Sequence, residues 1–127
     1  DMMNGERFSW KKRAKSFVYA FAGILRLIKC EHNARIHIVL TICAITLGIL
    51  LKVSQIEWIA ITLCIGGVFS AEAVNSSIET LSDRVTTKND EYIKQAKDYA
   101  SGAVLFIAIA ALIVGCIIFI PKLIDLL

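Results

Sequence analysis

Three stretches of the chain are free of charge over lengths that matter. Residues 36–51 are interrupted only by His37, residues 56–78 only by Glu57 and Glu72, and residues 99–120 carry no charge at all. A helix needs roughly 20 predominantly apolar residues to cross a ~30 Å hydrocarbon core. The third stretch meets that length by itself, and the other two meet it with polar ends. Three membrane spans are therefore expected, over residues 34–52, 55–83 and 97–121. Residues 8–31 follow another pattern: Phe17, Phe21, Ile24 and Ile28 form one apolar stripe, widened by Val18 and Leu25, with Lys11, Lys12, Lys15, Arg26 and Lys29 on the far side. Such a helix lies in the headgroup plane, apolar face down. It serves as a surface anchor, or its polar face, with Lys12, Lys15 and Tyr19, also touches a soluble anion.

The second span changes character along its length. Residues 58–71 hold no charge, after which Glu72, Asn75, Glu79 and Asp83 follow in line. At 100° per residue these four lie within about 80° of arc, one acidic stripe on one face. A carboxylate at membrane depth costs several kcal/mol unless it faces a partner, so the stripe marks a candidate functional site. Once the chain has crossed, turned near residues 52–55 and come back, Glu79 returns to the depth of Glu31, just ahead of the first span. Two carboxylates meeting there suggest a shared divalent cation. The scarcity of other strong ligands suits Mg²⁺, which keeps several waters and takes phosphate oxygens, and so implies a phosphorylated ligand. His32 and His37 read as interface residues rather than metal ligands.

Composition agrees with the pattern. At 127 residues and 57% hydrophobic content the chain is one domain. Its mean hydropathy of +0.67 is too high for a soluble one. The net charge of +3 is small, but its distribution is not even: eight Lys or Arg precede Ile36, four lie in residues 84–97, and the opposite side has only Lys52 and Lys122. The positive-inside rule puts the N-terminus and the 84–97 loop in the cytoplasm, and the protein in the cell membrane as a multi-pass chain. No cleavable signal peptide is expected, since the first thirty residues carry charges throughout. No nucleic-acid partner is expected either. Trp58 reads either as an anchor at the outer interface or as lipid-facing bulk. The four cysteines, Cys30, Cys43, Cys64 and Cys116, have no metal-ligand spacing and read as packing residues. Asn75-Ser76-Ser77 fits a glycosylation sequon but lies inside a span, out of reach.

The block of residues 84–101 enters the third span with Lys94, Lys97 and Ser101 on one helix face. Lys97-Asp98 beside hydrocarbon reads as a salt-bridged or substrate-bound pair. No Gly-rich phosphate loop exists, so any nucleotide is held by side chains and metal.

The run Glu72-Ala-Val-Asn75-Ser-Ser-Ile-Glu79-Thr-Leu-Ser-Asp83, with Lys97-Asp98-Tyr-Ala-Ser101 after it and Glu31 and Arg35 before it, closely resembles the prokaryotic diacylglycerol kinase family. That family includes the undecaprenol kinases of Gram-positive bacteria. The resemblance covers residues 8–120 and implies an all-α, homotrimeric membrane enzyme that transfers phosphate from ATP, with Mg²⁺, to a lipid alcohol in the bilayer. By position, it implies Glu72 as general base, Glu31 and Glu79 as Mg²⁺ ligands, and Asn75, Ser101 and Arg35 on the lipid side. It also implies Lys97 and Asp98 on the nucleotide, with Lys12, Tyr19, Lys88, Asn89 and Asp90 as outer nucleotide contacts. Ala34 stands where an aromatic residue is expected, and Ser82 where an apolar one is.

The form Glu31-x-Asn33-x-Arg35-Ile36-His37 resembles the Gram-positive branch and favours undecaprenol over diacylglycerol. Two readings from other classes compete. A proton-coupled transporter would use Glu72 as proton carrier, and a non-catalytic assembly subunit would leave the membrane carboxylates without a purpose.

Overall fold

The computed structural model describes residues 7–127, which form four helices in the order α1 (Trp10–Cys30), α2 (His32–Leu50), α3 (Gln55–Val85) and α4 (Glu91–Leu126). Helix α1 starts on Ser9, whose side chain accepts from the Lys12 N–H at 3.4 Å. It ends on one extended residue, Glu31, that is also the N-cap of α2. A single non-helical residue therefore makes the elbow between α1 and the first long apolar helix. Arg35 braces that elbow: its Nε donates to the Ile28 carbonyl at 3.2 Å and its terminal nitrogen donates to the Lys29 carbonyl. These are α1 carbonyls that no helical N–H can reach.

Helices α2, α3 and α4 are each long and apolar enough to cross a membrane. By rise per residue α3 is ~46 Å long and α4 ~54 Å, so both extend well past a ~30 Å hydrocarbon core. Part of that excess is polar, residues 79–85 of α3 and 91–97 of α4, each about 10 Å long. Large apolar side chains such as Leu63 and Phe106 point outward, as they do when lipid or another membrane helix covers them. The exposed Phe17 and Phe21 of α1 belong to the apolar stripe expected of a surface helix.

The most extensive helix pairing is α3 with α4, and the best packed region lies at the end opposite the acidic stripe. There Val53, Ile61 and Ile118 are buried, with Trp58, Val114 and Phe119 against them. The α2–α3 turn is built from backbone bonds. The Val53 N–H reaches the Gly48 carbonyl at 3.1 Å and the Lys52 N–H reaches that of Ile49 at 3.3 Å, the Schellman pattern, with Lys52 at φ 54° in the position usually given to glycine. Ser54 and Glu57 then open α3 with a reciprocal capping box. Trp58 departs from the expectation of lipid-facing bulk. Its ring tip lies 2.6 Å from where a Cβ on Gly48 would stand, so it is a half-buried packing residue that needs a glycine opposite. The sequence gives no hint of this, because the partner is on another helix.

Candidate active site

The acidic stripe emerges from α3 as the helix geometry requires, but its members meet different surroundings. Glu72 is 2% exposed. The Nε2 of His37, from α2, stands 3.2 Å from its Oε1, yet that oxygen accepts no well-aligned hydrogen bond, and neither does the buried Oδ1 of Asn75 one helical turn along. A buried polar atom without a partner costs about 1–3 kcal/mol and calls for an explanation. Two such atoms on one face, both pure acceptors, suit a ligand that brings a donor, such as a hydroxyl group. His37, expected at the interface, is the residue that sequence reasoning left out of the site. The available signal was its position as the one ionisable nitrogen within the apolar residues 36–51.

An apolar groove of about 560 Å³ runs between α2, α3 and α4, and His37 lines it together with Leu40, Leu47, Val68, Leu112 and Phe119. Cys43 of α2, Cys64 of α3 and Cys116 of α4 are free thiols that also line it. They face the groove rather than filling a core.

Towards the polar end, Glu79 and Glu31 are half-buried. Glu31 makes no side-chain cap to α2 although it occupies the cap position. Among the described residues neither carboxylate joins an ion pair. Helix α1, which ends at Glu31, makes contact with α3, the helix that carries Glu79. No group of three or more His, Cys, Asp or Glu gathers among the described residues. The donor set is two hard carboxylates at most, which fits a cation completed by water and phosphate oxygens and does not fit a self-contained protein cage.

Lys97 and Asp98 are not a pair with each other. Lys97 Nζ reaches across to Asp83 Oδ1 at 3.0 Å, tying α4 to α3, while Asp98 accepts from Lys94 at 2.8 Å along α4. Adjacent helix residues point about 100° apart, so the i,i+4 and interhelical partners win. Three other predicted site residues have local structural tasks. Arg35 braces the elbow. Asp90 caps α4, its carboxylate accepting from the Tyr92 and Ile93 N–H groups at 2.9 and 3.0 Å. Lys88 donates its backbone N–H to Thr86 Oγ1 at 3.0 Å in the short α3–α4 link. Asn89 in that link, Tyr19 and Lys12 on α1 and Ser101 on α4 are all exposed. Ala34 is fully buried, and Ser82 nearly so, so both departures from the expected pattern are small residues in tight packing.

Together the fold and the site define a small polytopic membrane protein whose polar end carries charges of both signs and leads along α3 to one buried carboxylate. The description "Prokaryotic diacylglycerol kinase" belongs to the family model that matches residues 18–119. An undecaprenol kinase of Bacillus subtilis is 42% identical over 109 residues, covering 86% of this chain and 89% of the relative. A diacylglycerol kinase of Synechocystis sp. is 37% identical over 115 residues, covering 88% of this chain and 65% of the relative. The chain belongs to the prokaryotic diacylglycerol kinase family, and it is a lipid kinase. A proton-coupled transporter and a non-catalytic assembly subunit do not fit that membership.

Proposed function

We propose that the protein phosphorylates undecaprenol, using ATP and Mg²⁺, as a homotrimer in the cell membrane with its N-terminus in the cytoplasm. The observation that carries this reading is the buried Glu72, with an unsatisfied acceptor beside the His37 end of an apolar groove. Glu72 lies seven residues, about 10 Å, deeper than Glu79, so a hydroxyl arriving from the bilayer meets Glu72 while phosphates remain at the polar head. Glu72 accepts the hydroxyl proton, Asn75 orients the hydroxyl, the lipid oxygen bonds to the γ-phosphorus, and the bond from that phosphorus to the departing ADP oxygen breaks. Mg²⁺ held by Glu31 and Glu79 would neutralise phosphate charge. Lys97 supplies a further positive charge beside the nucleotide, for which it must exchange its contact with Asp83. Ser101 and Asp98 lie along the same helix entry, and Lys12, Tyr19, Lys88, Asn89 and Asp90 would form the outer nucleotide contacts.

Undecaprenol is favoured by the similarity to the Bacillus subtilis enzyme over nearly the whole of both chains. Similarity to the Synechocystis enzyme keeps diacylglycerol as the second reading. Phosphate transfer from ATP to each lipid, by purified parent and Glu72→Gln in the same detergent micelles, tests both. The parent is expected to prefer undecaprenol, and Glu72→Gln to be slower by about 10²- to 10⁴-fold. Transfer to neither lipid would sink the kinase reading, and equal transfer by parent and variant would sink the role of Glu72.

A further inference from the structure

A buried carboxylate needs a partner, and the identity of that partner decides what the carboxylate can do. Along α2, α3 and α4, the charged side chains nearest Glu72 in the chain are engaged elsewhere or lie turns away, and the one ion pair of Glu72 among the described residues is with His37. On α3, Glu57 is tied to Lys122 at 2.8 Å and Asp83 to Lys97, and Glu79 lies two turns towards the polar head. On α4, residues 99–120 carry no charge, and Asp98 is paired with Lys94. On α2, Arg35 is bound to the Ile28 and Lys29 carbonyls, and the remaining ionisable group besides His37 in residues 36–51 is the Cys43 thiol. Among the described residues, His37 is thus the group able to carry positive charge that touches Glu72. Its ring meets Phe69, one turn before Glu72 on α3, edge to face at 6.3 Å between centroids and 76° between planes. The imidazole is therefore held by aromatic packing against the same helix that carries the carboxylate.

We propose that His37 is a positioning residue for Glu72, holding the buried carboxylate from α2 so that it faces the lipid hydroxyl at the end of the apolar groove. Arginine or lysine in this place would clamp Glu72 in a permanent ion pair and compete with its work as an acceptor. A histidine sets one ring nitrogen beside the carboxylate without such a clamp. With His37 fixed by Phe69 and lining the groove, one side chain sets both the orientation of the carboxylate and the end wall against which the alcohol stops. The proposal rests on the reading of Glu72 as the base.

The test uses the full chain in detergent micelles, with ATP and undecaprenol as substrates. His37→Ala should lower kcat by about 10- to 100-fold with little change in KM for ATP, because the loss is one of orientation at the lipid end. His37→Gln, which restores an N–H near the same position, should recover most of the rate. His37→Ala added to Glu72→Gln should cost nothing further, since the two act as a unit. The chain has two histidines, His32 and His37. In a sample with ¹⁵N-labelled imidazoles, Glu72→Gln should therefore shift one side-chain signal, the one absent from His37→Gln, and leave the other in place. A parental kcat in His37→Ala, equal slowing by Ala and Gln, or a His37 signal indifferent to Glu72→Gln would each overturn the proposal while leaving Glu72 as base intact. Full activity in Glu72→Gln would overturn the base and the proposal with it, and the labelled imidazole would still report whether the two side chains meet.

Discussion

Glu57 and Glu72 lie on the same helix, and their surroundings could hardly differ more. Glu57, at the α2–α3 turn, accepts from the Ser54 N–H at 2.9 Å in a capping box and from Lys122 at 2.8 Å. It closes a corner held by a helix cap and an interhelical ion pair. Glu72, towards the other end, is deeper and less well satisfied, with Oε1 beside His37 but in no aligned hydrogen bond. The turn end is built for stability: Schellman bonds, a cap, a Trp58–Gly48 contact and an interhelical ion pair. The polar head keeps unspent acceptors, and a folded protein retains such a cost where a ligand is to relieve it. The comparison predicts a separation: substitutions at the head should change turnover and leave stability, while substitutions at the turn should do the reverse.

The largest effect should come from the head. Glu79→Gln and Glu31→Gln should each reduce phosphate transfer by about 10³-fold or more, the several kcal/mol that charge stabilisation by a metal supplies. The thermal midpoint in micelles should not fall, because neither carboxylate is paired among the described residues. Near-parental transfer at low Mg²⁺ by either variant would remove the shared-cation assignment.

At the turn, Gly48→Val should destabilise by about 2 kcal/mol, the range of an overpacked core, since a Cβ there already meets Trp58 at 2.6 Å. Trp58→Leu in the same chain should restore much of the loss. Turnover per folded molecule should match the parent throughout. A Gly48→Val protein with the parental midpoint would mean that the ring moves aside freely.

How far these two ends could be read from sequence depends on the range of the interaction. The long apolar runs, the surface helix with its Phe17–Ile28 stripe and the alignment of Glu72, Asn75, Glu79 and Asp83 are properties of one helix at a time, and periodicity reveals them. Ser54-x-x-Glu57 is likewise a local signature of a helix start. Contacts between helices leave no such trace. Nothing near His37 says that Glu72 will face it, nothing near Lys97 selects Asp83 over Asp98, and Gly48 gives no sign of Trp58. Arg35 shows a further limit: a charged residue beside a candidate site can be occupied in bracing a bend, and its type alone cannot distinguish that task from substrate binding.

A smaller effect tests the ion pair between the helices. Lys122→Met leaves Glu57 its capping bond but removes a partner that is part-buried, and should cost about 1 kcal/mol, near the upper end for exposed pairs because the two side chains are 30% and 24% exposed. Lipid phosphorylation by the folded fraction should be unchanged. An equal loss in Lys122→Met and in Glu57→Gln/Lys122→Met would place the energy in the pair, whereas a larger loss in the double variant would assign the remainder to the capping box.

The smallest effect has the opposite sign. Lys52 occupies the left-handed region at φ 54°, where a side chain costs about 1–2 kcal/mol relative to the right-handed region. Glycine bears no such penalty but loses more chain entropy on folding, about 0.5–1 kcal/mol. Lys52→Gly should therefore gain about 0.5 kcal/mol, read as a small rise in the unfolding midpoint with no change in turnover. Lys52→Ala separates backbone from charge, since it removes the same ammonium and keeps the Cβ. If Ala raises the midpoint as much as Gly, the gain comes from the lost charge and the strained turn contributes nothing; a rise with Gly alone assigns it to the backbone of the Schellman turn.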